Sequence, residues 1–276
     1  MKFSEHWLRE WVNPALDTQA LCHLLTMAGL EVEDTEPAAP PFSGVVVAEV
    51  KSVVKHPNAD RLRVCQVDAG TGELVQIVCG APNVAEGVRV PCALPGAELP
   101  GDFRIKPTKM RGEVSNGMLC SGKELGIPDD VDGLLLLPAD APVGQSIRDY
   151  LALDDQSIEL KITPNRADCL SLRGVAREVA ALTGATLNEP AIAAVEPLID
   201  ERRQVTLSAP AACPRYIGRV IRNVNARAAT PDWMRRKLER AGLRVGVAAA
   251  TRDQAVQIGQ RLGALGHPTS PCVRIV

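Results

Sequence analysis

The pattern of hydrophobic and polar positions changes its period twice along this chain of 276 residues. In the first forty residues the apolar side chains recur at helical spacing, which predicts two short helices. Ser4 and Asp17 stand where N-terminal capping residues are expected, and Gly29 stands where the second helix is expected to end. A linker of Ala and Pro is predicted over residues 37–41.

From residue 45 onward the period becomes two, and short apolar stretches alternate with loops rich in Gly and Pro. This pattern predicts β-strands at close spacing, with one helical turn at residues 123–126. The predicted strands are 45–50, 62–67, 74–78, 88–94, 103–106, 117–120 and 133–137. Short strands with one small helix are the content of an OB-fold β-barrel.

After residue 144 a mixed pattern returns. Residues 157–163 alternate as a half-buried strand does, residues 165–168 form a capping turn, and the helix that follows ends at Gly184. We expect this strand and helix to pack with the N-terminal helices. The barrel would then be an insertion in one discontinuous domain.

A third group of elements is predicted beyond residue 200. Strands are expected at 204–207 and 215–224, and Thr230-Pro231-Asp232 has the composition of a helix start. The predicted fold class is therefore α+β, with an OB-fold β-barrel inserted into a small α/β domain and followed by the start of a third, incomplete α/β domain. The predicted domains are 1–38 with 150–195, 39–149 for the barrel, 200–244 for the third domain, and 245–276 for a tail without a supporting core.

Composition limits the possible functions. The formal net charge is −2 and the pI is about 6.1, so any nucleic-acid site must be a local basic patch. The eight cysteines include no C-x-x-C pair, which favours buried thiols in a reducing cytoplasm over zinc or disulfides. We expect no signal peptide, membrane span, metal site, phosphate-binding glycine loop or nucleophile–base pair.

Two loops and a cluster of cations indicate an RNA partner. The loops HPNADRL (56–62) and CGAPN (79–83) are costly to order unless they hold a ligand or an interface. Four cations fall within the eight residues 104–111, and two more flank the first loop. The predicted RNA-binding residues are Lys55, Asn58, Arg61, Arg104, Lys106, Lys109, Arg111, Ser115 and Asn116.

The chemistry of this set favours contact with phosphates and ribose hydroxyls. Only Phe42 and Phe103 lie near the barrel strands, so base stacking is not expected to be the main mode. Backbone and shape recognition of a folded RNA remains. Two alternatives stay open for the cations: a solvated strand edge neutralised by nearby acids such as Glu98 and Glu113, or a contact with another subunit. His56 is expected to order its loop rather than to catalyse a reaction.

Six segments occur in an order that resembles a known family. They are MKFSE-x-WLREWV (1–12), MAGLEV (27–32), CGAPN (79–83), KMRGE (109–113), TPNRADCL (163–170) and CPRY (213–216). Together they resemble the N-terminal region of the bacterial phenylalanine–tRNA ligase beta subunit. The resemblance covers residues 1 to about 244.

The resemblance implies a cytoplasmic (αβ)2 enzyme that joins phenylalanine to tRNA(Phe) with ATP and Mg²⁺. In that family the aminoacylation site lies on the alpha subunit. This chain would supply tRNA binding and assembly, with no catalytic residue, cofactor or metal of its own and with no membrane or DNA partner. The alternative is a structural OB module that packs on protein and does not contact RNA.

The resemblance stops after Arg244, where the family continues into an editing domain. Here the sequence VGVAAA (245–250) follows instead. We therefore expect the editing pocket to be absent and residues 245–276 to form a tail foreign to the family.

Overall fold

The computed structural model describes residues 1–127, 132–225, 228 and 230–243. The predicted tail 245–276 lies outside the described residues. The chain divides into two units, Met1–Leu187 and Asn188–Val276, and each is considered by itself. No helix in the described part of the chain is long and apolar enough to cross a lipid bilayer.

The described residues of the first unit form three antiparallel sheets, one of them a two-stranded hairpin, and several short helices. Its strands are β1 (Lys2–Ser4), β2 (Glu31–Pro37), β3 (Ser43–Lys55), β4 (Arg63–Asp68), β5 (Leu74–Cys79), β6 (Arg89–Leu99), β7 (Phe103–Arg104), β8 (Thr108–Met110), β9 (Glu113–Ser115), β10 (Met118–Leu119) and β11 (Gln156–Lys161). Its helices are α1 (Glu5–Trp11), α2 (Thr18–Met27), α3 (Ile147–Tyr150) and α4 (Leu172–Thr183), with 3₁₀ turns at Lys123–Leu125 and Pro164–Cys169.

The two N-terminal helices begin at the predicted caps. The Ser4 hydroxyl accepts a hydrogen bond from the Trp7 amide at 3.1 Å, and the Asp17 carboxylate accepts one from the Ala20 amide at 2.8 Å. Each bond satisfies an amide that has no partner inside its own helix. After α2 the backbone of Gly29 takes a φ of +88°, which suits glycine at a helix end.

Residues near both ends of the first unit share one sheet and one core. The sheet has the order β1-β11-β2, with Phe3 opposite Ile158 and Val32 opposite Leu160. Its core also contains the buried side chain of Val175 from α4, which confirms that helix and strand β11 as predicted elements. Strands β1 and β2 were not predicted. The sequence of β2, EVEDTEP, is largely exposed and polar, so it lacks the alternation that identifies a strand.

The second sheet has the order β10-β6-β3-β4-β5, and β7 pairs with β6. Strand β3 is 13 residues long and pairs with both β6 and β4, with an irregularity between Val50 and Ser52 that lets it serve both partners. The chain between β9 and β10 connects the two edge strands of this sheet, β5 and β10. The Asn116 amide donates to the Gln76 carbonyl of β5 at 2.9 Å, while β10 pairs with β6.

A glycine makes this closure possible. Gly117 has a φ of +142°, and a Cβ on it would lie 2.7 Å from the Ala93 carbonyl oxygen of β6. Because real Cβ atoms do not approach an oxygen so closely, the two backbones can meet here only without a side chain.

Three details of the second sheet differ from the sequence prediction. Strand β6 continues through Pro95-Gly96, where the Gly96 amide donates to the Ile105 carbonyl and the Ile105 amide donates to the Ala97 carbonyl, each at 2.8 Å. The hairpin of β8 and β9 was not predicted, because both strands are short and polar. Residues 133–137 do not form a strand; Leu137 makes an isolated bridge with Arg89.

The second unit has one helix in its described residues, α5 (Asp232–Arg240), followed by Gly242 with a φ of +72°. This confirms the predicted helix, but its capping position is Pro231 and no side chain caps it, so the predicted cap was wrong. The strands predicted at 204–207 and 215–224 are also wrong. Side chains across these stretches are almost all exposed, and no described strand pairs with them.

Candidate nucleic-acid interface

The tip of the β8–β9 hairpin places an arginine in an unusual backbone conformation. Met110 pairs with Glu113, so Arg111 and Gly112 form a two-residue loop. Their φ angles are +53° and +100°, as a type I′ turn requires at both positions. Glycine takes this conformation freely, whereas a residue with a side chain is strained there by about 1–3 kcal/mol. The turn therefore places the Arg111 side chain at the tip of the hairpin, although a residue with a side chain disfavours this left-handed backbone conformation.

The loop at 56–62 holds this tip in place. His56 Nε2 lies 2.9 Å from the Met110 carbonyl oxygen, and Asn58 Nδ2 donates to the Arg111 carbonyl at 3.1 Å. His56 is only 2% exposed. The carbonyls of Met110 and Arg111 therefore join the hairpin to a loop that is more than fifty residues away in sequence.

The same bonds fix the protonation of the His56 ring. The Asn58 amide donates to Nδ1 at 3.0 Å, so Nδ1 must be an acceptor. Nε2 must then carry the hydrogen, because the Met110 carbonyl can only accept. His56 thus orders the loop and the hairpin together as a neutral imidazole.

The opposite side of the hairpin base is also anchored. Gln76 of β5 donates through Nε2 to the Val114 carbonyl at 3.0 Å and contacts the Glu113 carboxylate at 3.3 Å. The hairpin is therefore bonded both to the 56–62 loop and to the main sheet. A short hairpin is marginal by itself, and these anchors give it a defined position.

Four of the predicted cations are exposed and carry no ion pair within the described chain: Arg61, Lys106, Lys109 and Arg111. Lys109 and Arg111 lie on the anchored hairpin, and Lys106 lies just before it. Arg61 belongs to the loop that His56 organises. These charges are available to an anionic partner.

The remaining two predicted cations have acidic partners. Arg104 is bonded to Glu98, which lies opposite it across the β6–β7 pair. Lys55 lies 3.0 Å from the Asp60 carboxylate, with both side chains largely exposed. The acidic partners partly neutralise the charges of Arg104 and Lys55. These two side chains therefore attract a phosphate less strongly than the four cations without ion pairs.

Ser115 is a correction to the predicted contact residues. Its side chain is buried, and its hydroxyl accepts from the Val78 amide at 3.0 Å and donates to the Gly117 carbonyl at 3.0 Å. The hydroxyl accepts the hydrogen bond that a backbone carbonyl of a neighbouring strand would otherwise accept from β5. Because the side chain is buried, it cannot contact a ligand. Asn58 uses its amide group on the Arg111 carbonyl, so its role is also in positioning. Asn116 contributes its backbone amide to the closure described above.

Sequence reasoning placed His56 in an ordered loop but did not include it or Gln76 among the site residues. The compact run of His, Pro, Asn and Asp at 56–60 was the available signal for a structured loop. Nothing in the sequence near His56 indicated Met110 as its partner. No signal marked Gln76, an ordinary polar position on a strand.

The cluster of possible metal ligands found in the described residues does not fit Mg²⁺. Asp168, Cys169 and Glu178 are the described group whose ligand atoms lie close enough together to hold an ion. The Arg166 guanidinium already bonds Asp168 at 3.2 Å and Glu178 at 2.8 Å, and it holds the pKa of the Asp168 carboxyl below its usual range. Burial raises the pKa of the Cys169 thiol, which keeps it protonated and a poor ligand. The group is an ion-pair cluster that links the 3₁₀ turn to α4.

The anchored hairpin and its cations lie within a stretch that matches a known family model. Residues 45–146 match the model described as "Putative tRNA binding domain". The antiparallel sheet and the exposed cations are consistent with that class of domain.

Longer matches come from curated relatives, all beta subunits of phenylalanine–tRNA ligase. The Chromobacterium violaceum protein is 75% identical over 244 residues, which cover 88% of this chain and 31% of that protein. The Dechloromonas aromatica protein is 60% identical over 269 residues, covering 97% of this chain and 34% of that protein. The chain is similar to phenylalanine–tRNA ligase beta subunits over most of its own length, and it spans about a third of the length of the curated relatives it matches.

The two alignments differ in how far they extend. The Dechloromonas aromatica alignment covers 97% of the chain and includes residues beyond 244, whereas the Chromobacterium violaceum alignment covers 88% of the chain. Among solved structures, a protein titled as a MetRS-related protein from Pyrococcus horikoshii matches at 26% identity with a TM-score of 0.28, over 37% of this chain and 87% of that chain. A similarity at that level adds nothing to the assignment.

Proposed function

We propose that this chain binds the sugar-phosphate surface of a folded tRNA through the β8–β9 hairpin and the 56–62 loop. It would do so as part of a phenylalanine–tRNA ligase, in which phenylalanine is attached to tRNA(Phe) on a partner alpha subunit. The observation that carries the proposal is the hairpin tip, where Lys109 and Arg111 stand without acidic partners in the described chain on a turn bonded to His56 and Asn58.

The chemistry of these residues fits phosphate contact better than base reading. A rigid display of cations gains free energy by releasing counterions from the RNA backbone, at little entropic cost to the protein. Phe103 is exposed on β7, but no group of exposed aromatic side chains accompanies it on the hairpin. Stacking of successive bases is therefore not the main source of affinity.

The wider assembly is also part of the proposal. We assign 39–149 to an OB-fold domain inserted between residues 1–38 and 150–195, and 200–244 to the start of an editing-type domain. The family implies a cytoplasmic (αβ)2 enzyme, with ATP and Mg²⁺ used at the alpha subunit's site. Support for the insertion comes from the pairing of β1 and β2 with β11 on either side of the barrel strands in sequence.

The test is electrophoretic mobility of tRNA(Phe) with the whole chain at two salt concentrations. We expect a complex whose affinity falls steeply with salt. Arg111→Gln should weaken it and reduce the slope of log affinity against log salt by about one. Arg104→Gln removes the same charge from a residue already bonded to Glu98, so it is the matched control and should have a much smaller effect.

Two outcomes would contradict the proposal. Absence of a complex at low salt would favour the structural module that packs on protein alone. Equal losses in the Arg111 and Arg104 variants would show that binding follows total charge and does not involve the anchored hairpin.

A further inference from the structure

A cavity of about 600 Å³ lies beside the anchored hairpin. Its walls include Leu62 from the His56 loop, Met110 from β8 and Met118 from β10. Its rim carries Lys123, Glu124 and Asp132, all exposed. Met110 lies between Lys109 and Arg111 in the sequence. The cavity therefore opens next to the cations proposed to hold phosphates.

The second loop singled out in the sequence, CGAPN, forms another wall. Cys79, Gly80 and Ala81 line the cavity directly. The Asn83 side chain makes two hydrogen bonds to the backbone of Leu134. Its Nδ2 donates to the Leu134 carbonyl at 2.9 Å, and its Oδ1 accepts from the Leu134 amide at 2.8 Å.

Close packing completes this wall. A Cβ at Gly133, where φ is +119°, would lie 2.3 Å from Asn83 Oδ1. The wall is therefore fixed before any ligand arrives.

We propose that this cavity receives one unstacked nucleobase that carries an exocyclic amino group, from an RNA held by the hairpin; the inference rests on the proposed function. Two methionine side chains supply polarizable surface for the faces of an aromatic ring. Carboxylate groups such as those of Glu124 and Asp132 accept hydrogen bonds, so they favour bases with an exocyclic amino group, namely guanine, adenine and cytosine, over uracil, which has only its ring N3–H to donate.

The rim geometry leaves these acceptors open. Glu124 Oε2 accepts from the amide and hydroxyl of Ser121, and within the described residues no hydrogen bond is made by Oε1 or by the Asp132 carboxylate. Lys123 on the same rim can meet the phosphate of the nucleotide that enters.

The experiment uses methyl NMR of the whole chain labelled with ¹³C at the methionine methyl groups. The chain has five methionines, and Met27, which does not line the cavity, serves as the internal control. Guanosine, adenosine, cytidine and uridine 5′-monophosphates are added in turn, with ribose 5-phosphate as the probe without a base. We expect ring-current shifts at Met110 and Met118 with the amino-bearing nucleotides, weaker shifts with uridine monophosphate, and none with ribose 5-phosphate.

A variant tests selectivity. Asp132→Asn should at least halve the ratio of guanosine to uridine monophosphate affinity while the Met27 signal stays unchanged. Unshifted Met110 and Met118 signals, or equal shifts with ribose 5-phosphate, would overturn the cavity proposal. The tRNA mobility assay reports separately on the proposed function, since it depends on Arg111. A tRNA complex without methionine shifts would therefore reject the base site alone.

Discussion

At the scale of single residues, the His56 ring decides where the hairpin tip lies. It is buried, and both of its nitrogens are engaged, one by the Asn58 amide and the other by the Met110 carbonyl. Removing the ring takes the hydrogen-bond partner away from the Met110 carbonyl and from the Asn58 amide, and each lost bond costs about 0.5–1.5 kcal/mol. The position of Arg111 therefore depends on a residue that need not touch RNA itself.

We predict that His56→Ala lowers the free energy of unfolding by about 1–3 kcal/mol and weakens tRNA binding while leaving the salt slope nearly unchanged. The slope should persist because no phosphate-contacting charge is lost. Urea denaturation and tRNA mobility measure the two effects. His23→Ala, on the exposed face of α2, is the matched control and should alter neither. A His56→Ala chain of unchanged stability would show that the ring does not hold the loops together.

Residue chemistry also explains which features of the candidate site could be predicted from the sequence. The exposed cations Lys106, Lys109 and Arg111 could be chosen from charge density alone. Ser115 could not be excluded, because its burial follows from a closure between β5 and the chain after β9. Partners such as Glu98 for Arg104 depend on strand register, which composition does not fix.

At the scale of elements, helices with a side-chain cap and strands with clean alternation were predictable. Helices α1 and α2 begin at the predicted caps, whereas α4 is capped by Ser171 and not by the predicted turn at 165–168. Helices α2 and α4 contain buried apolar residues at helical spacing. Strands β2, β8 and β9 lack alternation because one or both of their faces meet solvent. Their pairing comes from contacts with distant segments, and a local pattern does not carry that information.

The closure of the second sheet gives an element-scale prediction. Gly117→Ala should destabilise the chain by more than about 2 kcal/mol, because it combines a left-handed φ with a Cβ placed against the Ala93 carbonyl. Gly72→Ala is the control: its φ is +89°, but no atom lies within 4 Å of the added Cβ. Only the backbone strain, about 1 kcal/mol, should appear there. Thermal unfolding compares the two, and equal losses would mean that the close approach to β6 does not matter.

At the scale of the whole molecule, buried thiols couple stability to alkaline pH. Burial raises the pKa of Cys65 to about 11 and that of Cys92 to about 12. In the unfolded chain these thiols ionise at their ordinary, lower pKa, so as pH rises the unfolded state loses protons first. The contribution of these thiols is therefore complete below about pH 8.5 and is lost as the pH rises toward the native values.

We expect the free energy of unfolding to fall between about pH 8.5 and about pH 11, and to fall less in Cys92→Ala. Urea denaturation across this range is the measurement. Cys213→Ala, which alters an exposed thiol, should follow the original chain. If Cys92→Ala showed the same pH dependence as the original chain, ionisation of other groups would explain the fall.

The distribution of apolar burial gives the last prediction. Among the described residues, the three buried hydrophobic clusters consist of residues from the first unit, between Phe3 and Val179, whereas the described side chains after Leu187 are mostly exposed. Hydrophobic burial is the main favourable contribution to folding, so the first unit should fold without the second. A chain ending at Leu187 should keep the unfolding midpoint of the whole chain within a few degrees and keep its affinity for tRNA, because the hairpin and the His56 loop are retained. Thermal unfolding and tRNA mobility would show this. A fragment that fails to unfold cooperatively would mean that residues after 187 complete a core, and one that folds but no longer binds tRNA would place essential contacts in the second unit.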